Sequence, residues 1–136
     1  MSLARMVEYE DAPDEVRAVY DDFMATRGID WVPNFWKTLG SHPPLLREVW
    51  TGLKQTMQPG RLDVLTKELL AIAVSATNGC TYCLNSHTAA ARRLGMDDAM
   101  LGEVMAVVGT FTRTNKRADG YQVEVDPPIH KAARGG

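Results

Sequence analysis

Apolar residues recur every three or four positions along most of this chain, and turn-forming residues cut the pattern into blocks. The first block follows Ala12-Pro13-Asp14-Glu15, where a proline and two acids suit the first turn of a helix. Val16, Val19, Tyr20 and Phe23 then keep helical spacing, and Gly28 closes the run. Trp31 to Leu39 predicts a short aromatic helix, broken by Ser41-His42-Pro43-Pro44. Leu45, Leu46, Val49, Trp50, Leu53 and Met57 mark an amphipathic helix that ends before Pro59-Gly60. Leu62 to Thr77 (LDVLTKELLAIAVSAT) is apolar or small around most of its circumference, which predicts a long buried helix. Asn78-Gly79 ends it, since both residues tolerate the left-handed conformation. The next helix is expected from Cys80 to Leu94, stopped by Gly95. Asp97 caps another, with Leu101, Val104, Met105 and Val108 on one face.

Beyond Gly109 the pattern weakens. Phe111 to Ala118 predicts one more short helix. Tyr121 to Val125 alternates like a strand that has nothing to pair with, and residues 120–136 are expected to form an extended tail. No internal repeat or low-complexity segment occurs. The expected fold is all-α, a single domain over 1–136 of about six or seven helices, with its core at about 34–109.

Composition narrows the function. The chain has 136 residues, 45% hydrophobic and 24% charged, as in an ordinary globular domain. A net charge of −2 gives no basic field for nucleic acid. No apolar run approaches the roughly 18 residues of a membrane span, and no signal peptide opens the sequence. The expected location is therefore cytoplasmic, where structural disulfides are rare. The only two cysteines fall in the stretch NGCTYCLNSH, at Cys80 and Cys83, and one of three histidines, His87, comes four residues after the second.

That spacing suits thiol chemistry, in which the thiolate is the nucleophile and needs a lowered pKa. Cys80 falls at a helix start, where free N–H groups and the helix dipole favour an anion. Cys83 and His87 are i and i+4, one turn apart on one face, so the histidine is placed to take a thiol proton. Cys80 and Cys83 are i and i+3, so one thiol can attack an oxidant and the other resolve the product as a disulfide. The base argues for Cys83 as the attacking thiol and the helix terminus argues for Cys80, with the balance slightly towards Cys83. Glu68 lies on the preceding buried helix, where a carboxylate needs a partner. Folding back at Asn78-Gly79 would let it orient or deprotonate His87.

Glu68, eleven intervening residues, Cys80-Thr-Tyr-Cys83, three more residues and His87 resemble the signature of the alkylhydroperoxidase D / carboxymuconolactone decarboxylase superfamily, in its cysteine-bearing, peroxidase-like branch. The resemblance is strongest over Leu62 to Leu94 and extends back to Asn34. It implies an all-helical fold and a thiol-dependent peroxidase, with Glu68, Cys80, Cys83 and His87 as a proton relay around a redox-active pair. It further implies a hydroperoxide substrate, a cellular thiol or dithiol as electron donor, and no cofactor. The better-known alkylhydroperoxidase D chains look like two related halves. A chain with one copy is thus expected to assemble as a homo-oligomer, a hexamer built as a trimer of dimers, with a trimer or dimer as the fallback. Residues near Trp36 or Trp50 of a neighbour are expected to help wall the pocket. One departure stands out: the family histidine between the cysteines is replaced by Tyr82. A phenol of ordinary pKa near 10 does not act as a base at neutral pH.

Two other readings compete. One is a dithiol–disulfide reductase serving a protein partner. The other is a non-catalytic helical module that binds zinc or senses redox state. A zinc site needs four ligands, which Cys80, Cys83, His87 and either Glu68 or His42 would have to supply. A structural disulfide at i, i+3 closes a tiny loop and constrains little. Haem attachment is discarded, because Leu84 rather than histidine follows Cys83.

Overall fold

The computed structural model describes residues 1–135 and contains seven α-helices among them, with no strand. The helices are α1 (Asp14–Arg27), α2 (Asn34–Leu39), α3 (Pro43–Met57), α4 (Val64–Asn78), α5 (Thr81–Arg93), α6 (Asp98–Gly120) and α7 (Pro127–Ala133). The all-α expectation holds. By its contacts the chain divides into two compact units, residues 1–60 and 61–136, each with its own core.

The first unit holds α1 to α3. Val16, Tyr20 and Phe23 lie on one face of α1 and are buried with Val32, Trp36, Leu46 and Trp50. Three aromatic rings meet there: Phe23 and Trp36 at 4.8 Å between centroids, Phe23 and Trp50 at 5.1 Å, Trp36 and Trp50 at 5.5 Å. Tilted and edge-on packing at such distances adds to the area that the rings bury. The indole nitrogen of Trp50 donates to Asp22 Oδ2 at 2.7 Å, and Lys54 Nζ donates to both oxygens of Asp22 at 2.9 Å. The Lys54 ammonium and the indole N–H hold the Asp22 carboxyl below the usual carboxylate range. Trp36 and Trp50 are therefore core residues, only 5% and 4% exposed. This agrees with reading them as core residues. The exposed aromatics of this unit are Trp31 and Phe35.

The second unit holds α4 to α7. Asp63 caps α4 by accepting the Thr66 N–H at 2.7 Å, and Asp97 caps α6 by accepting the Met100 N–H at 2.8 Å. Ile72 of α4, Ala91 of α5 and Met96 form the buried centre, ringed by Leu65, Leu69, Leu84, Met100, Leu101, Val104 and Met105. Gly79 closes α4 with φ of +73°, a left-handed turn that glycine adopts without steric cost. Its neighbour Cys80 returns an N–H to Ser75 O at 3.0 Å, which tightens the reversal into α5.

Two boundary expectations fail here. Gly109 does not divide the C-terminal region, and Phe111 to Ala118 are the continuation of α6, which runs unbroken to Gly120. A lone glycine on an exposed helix costs about 1 kcal/mol and does not by itself end it. The expected extended tail contains α7, begun by Pro127 and Pro128 at helix positions that need no N–H donor. Tyr121 to Val125 make no strand, since the described residues offer no sheet edge for them to join.

Candidate active site

The four residues singled out by spacing all lie in the second unit, on α4, α5 and the turn between them. Glu68, Ile72 and Ser75 are the buried residues of α4, at i, i+4 and i+7, and so share one face. Burial takes the Glu68 side chain to 1% exposure, against 21% for His87. The chain reversal at Gly79 brings α5 back alongside α4. His87 Nδ1 then stands 2.7 Å from Glu68 Oε2, across nineteen residues of sequence. With Glu68 ionised its oxygen can only accept, so Nδ1 carries the proton and Nε2 is the basic nitrogen left over. The buried acid orients the ring, and the imidazole is partly exposed.

Cys80 and Cys83 are joined as a disulfide, with Cα atoms 5.3 Å apart. Both are half-buried. Cys80 is the N-cap residue of α5, and its Sγ accepts the backbone N–H of Cys83 at 3.2 Å. The helix expected to start at Cys80 thus starts one residue later, and the sulfur itself takes the place of a capping oxygen. Spacing alone did not single out this contact. Its signal in the sequence is a cysteine at the N-cap with another three positions on, the separation at which capping side chains meet an N–H. Cys83 sits on the first turn of α5, one turn before His87 and on the same face. Tyr82 lies between the cysteines and is 45% exposed.

In the dithiol form this geometry can stabilise a thiolate in two ways. The Cys83 N–H and the helix terminus act on Cys80, and the Glu68-oriented imidazole acts on Cys83. His42 lies in the first unit, just before α3, and is exposed. Among the described residues, no three His, Cys, Asp or Glu side chains are gathered as a metal site would require.

The chain is 34% identical over 70 residues to an uncharacterized protein of Cupriavidus necator, covering 51% of this chain and 62% of that one. It is 30% identical over 97 residues to the alkyl hydroperoxide reductase AhpD of Rhodococcus erythropolis, covering 65% of this chain and 54% of that one. These matches thus span only a little over half the length of the two relatives. Its structure is similar to the crystal structure of the alkylhydroperoxidase AhpD core of Rhodospirillum rubrum. The TM-score is 0.85 at 41% sequence identity, over 95% of this chain and 97% of the other. Residues 43–123, which include every residue of the Glu68–His87–Cys83–Cys80 cluster, match the carboxymuconolactone decarboxylase family, and the chain belongs to that family.

Proposed function

We propose that this protein is a thiol-dependent peroxidase that reduces hydroperoxides through the Cys80–Cys83 pair. The observation that carries the reading is the buried Glu68 held 2.7 Å from His87, one helical turn from a cysteine that is half of a disulfide. The kinship with AhpD proteins points the same way. A structural disulfide at this spacing has no use for a buried carboxylate–imidazole pair, whereas a thiol that must be deprotonated does.

His87 Nε2 takes the Cys83 thiol proton. The thiolate attacks the outer oxygen of ROOH, the O–O bond breaks, and sulfur is oxidised to a sulfenic acid. The departing alkoxide collects the proton from the imidazolium and leaves as ROH. Cys80, favoured as a thiolate by the Cys83 N–H and the helix terminus, attacks the sulfenic sulfur. The S–O bond breaks, hydroxide leaves and is protonated to water, and the disulfide forms. A dithiol donor then returns two electrons and two protons by thiol–disulfide exchange. No cofactor enters.

The same reading includes self-association into a closed homo-oligomer, a hexamer built as a trimer of dimers. The test of the chemistry is peroxide consumption with dithiothreitol as donor, in the wild type and in Cys83→Ser, Cys80→Ser and His87→Ala. Turnover that vanishes in Cys83→Ser, with a trapped sulfenic acid in Cys80→Ser, supports the scheme. Wild-type protein that consumes no hydroperoxide yet is reduced and reoxidised by protein dithiols would replace it with a disulfide reductase.

A further inference from the structure

Among the described residues the buried polar side chains are Glu68, at 0% exposure, and Ser75, at 7%. Glu68 has His87. Ser75 has no part in the scheme above. A serine inside a helix ordinarily bonds back to the carbonyl four residues earlier or turns to water. Thr77, two residues on, does the first, donating to Ala73 O at 2.8 Å. Ser75 does neither: it is buried, and in the disulfide state its hydroxyl forms no hydrogen bond among the described residues. A buried hydroxyl without a partner is unfavourable, so what lies opposite it matters. The register of α4 on α5 supplies the answer. Glu68 Oε2 meets His87 Nδ1. Seven residues further along α4, the Ser75 carbonyl accepts the N–H of Cys80 at 3.0 Å, and Cys80 stands seven residues before His87. The two helices thus run antiparallel in step, with Ser75 level with Cys80 and Ile72 level with Cys83.

We propose that, once the disulfide is reduced, the Ser75 hydroxyl donates a hydrogen bond to Cys83 Sγ and favours its thiolate. Helical side chains lean towards the N-terminus of their own helix. Ser75 therefore leans back along α4 towards the level of Cys83, and Cys83 leans back along α5 towards the level of Ser75, so the two converge. Cys80 has a donor already, the Cys83 N–H at 3.2 Å. A disulfide sulfur is a weak acceptor and a thiolate a strong one, so the bond forms when the charge does. A hydrogen bond given to the charged form of an acid lowers its pKa. The serine keeps its proton throughout, and His87 remains the group that takes the proton of the thiol. One residue then serves both sulfurs, its carbonyl aiming Cys80 and its hydroxyl steadying Cys83. This inference rests on the reading of Cys83 as the reacting thiol and adds to it a donor that acts separately from the Glu68–His87 pair.

The experiment is alkylation of the reduced protein by iodoacetamide from acid to alkaline pH, with Cys80 and Cys83 followed separately by peptide mass spectrometry. Ser75→Ala suits a helix and leaves the fold intact, which circular dichroism checks. It should raise the apparent pKa of Cys83 by about one unit and slow its alkylation at neutral pH by up to about tenfold. Above the thiol pKa the rates should equal those of the wild type, because every Cys83 is then ionised. A purely structural role of the serine would instead change the rate at every pH. Ser75→Thr keeps the hydroxyl and should keep the wild-type profile. The inference is overturned by an unshifted Cys83 profile in Ser75→Ala, by a shift confined to Cys80, by equal slowing at all pH, or by a Ser75→Thr variant that titrates like Ser75→Ala. No peroxide enters this assay. A wild type that consumes no hydroperoxide would therefore refute the peroxidase reading, whereas an unshifted Cys83 profile in an active protein would refute the role of Ser75 alone.

Discussion

Glu68 is buried inside the second unit, and its Oε2 lies 2.7 Å from His87 Nδ1. If the pair serves as the base for Cys83, His87→Ala should lower peroxide turnover by about 10²–10⁴-fold, the range of general-base assistance. Glu68→Gln keeps the shape of the side chain while losing the acceptor-only carboxylate. It should slow alkylation of the reduced protein by iodoacetamide at neutral pH without loss of helicity. Unchanged rates in both variants would remove the pair from the mechanism. A second residue-scale prediction concerns Tyr20 in the first unit. Burial pushes its phenol up to about 12 from 10.0, while the hydroxyl donates to Val7 O at 3.0 Å. The folded state thus holds this proton more tightly than the unfolded state does. The corresponding stability is complete below pH 10.0 and drains away as pH rises through about 12. Denaturant titrations between those limits should show a steeper loss for wild type than for Tyr20→Phe; equal slopes would refute the assignment.

At the scale of the helix, two glycines make opposite predictions. Gly52 lies within α3 and is exposed, and a Cβ there would meet nothing within 4 Å. Gly52→Ala should stabilise the protein by about 0.5–1 kcal/mol, through the lower entropy of the unfolded chain and better helix propensity. Gly40 follows α2 with helical dihedrals, so its conformation does not call for glycine. Space does: a Cβ would run into the Tyr20 hydroxyl and press on Lys37 O and the Val7 side chain. Gly40→Ala should destabilise by about 1–3 kcal/mol, as overpacking does. Urea midpoints of the two variants, shifted in opposite directions, are the check. The α4–α5 reversal is the element that matters most for chemistry. Its left-handed Gly79 and the Cys80 N–H to Ser75 O bond aim the start of α5, and with it both sulfurs.

For the whole molecule, the expected outcome is assembly. No helix among the described residues is long and apolar enough to cross a membrane, so the exposed apolar residues of α4 and α6 are not accounted for by a span. Light scattering at micromolar concentration should report a hexamer, with a trimer or dimer as the smaller closed states. A stable monomer with full peroxidase turnover would sink the assembly. The protomer also contributes to the redox cycle as a whole. Mild peroxide should convert both cysteines to an intramolecular disulfide reversible by dithiothreitol, and mass spectrometry should find no intermolecular link.

Much of this protein is legible in its sequence, for local reasons. Helices α1, α3, α4 and α5 announce themselves by spacing, by proline and acids at their starts and by glycine at their ends. Each of these effects acts within a turn or two of chain. The Cys80–Cys83–His87 alignment is likewise a property of one helix. Where the reading failed, the cause was not local. Gly109 looked like a stop, yet α6 continues through it, because one glycine costs too little to break a helix with favourable neighbours on both sides. Trp36 and Trp50 could be core or interface by sequence, and only packing against Phe23 decides that they fill their own core. The Glu68–His87 contact belongs to both levels. Sequence placed a carboxylate on a buried face and a turn at Asn78-Gly79, but nineteen residues separate acid from base. Only the packing of α5 on α4 could bring them to 2.7 Å, since burial of Ile72 and Ala91 sets how the two helices meet.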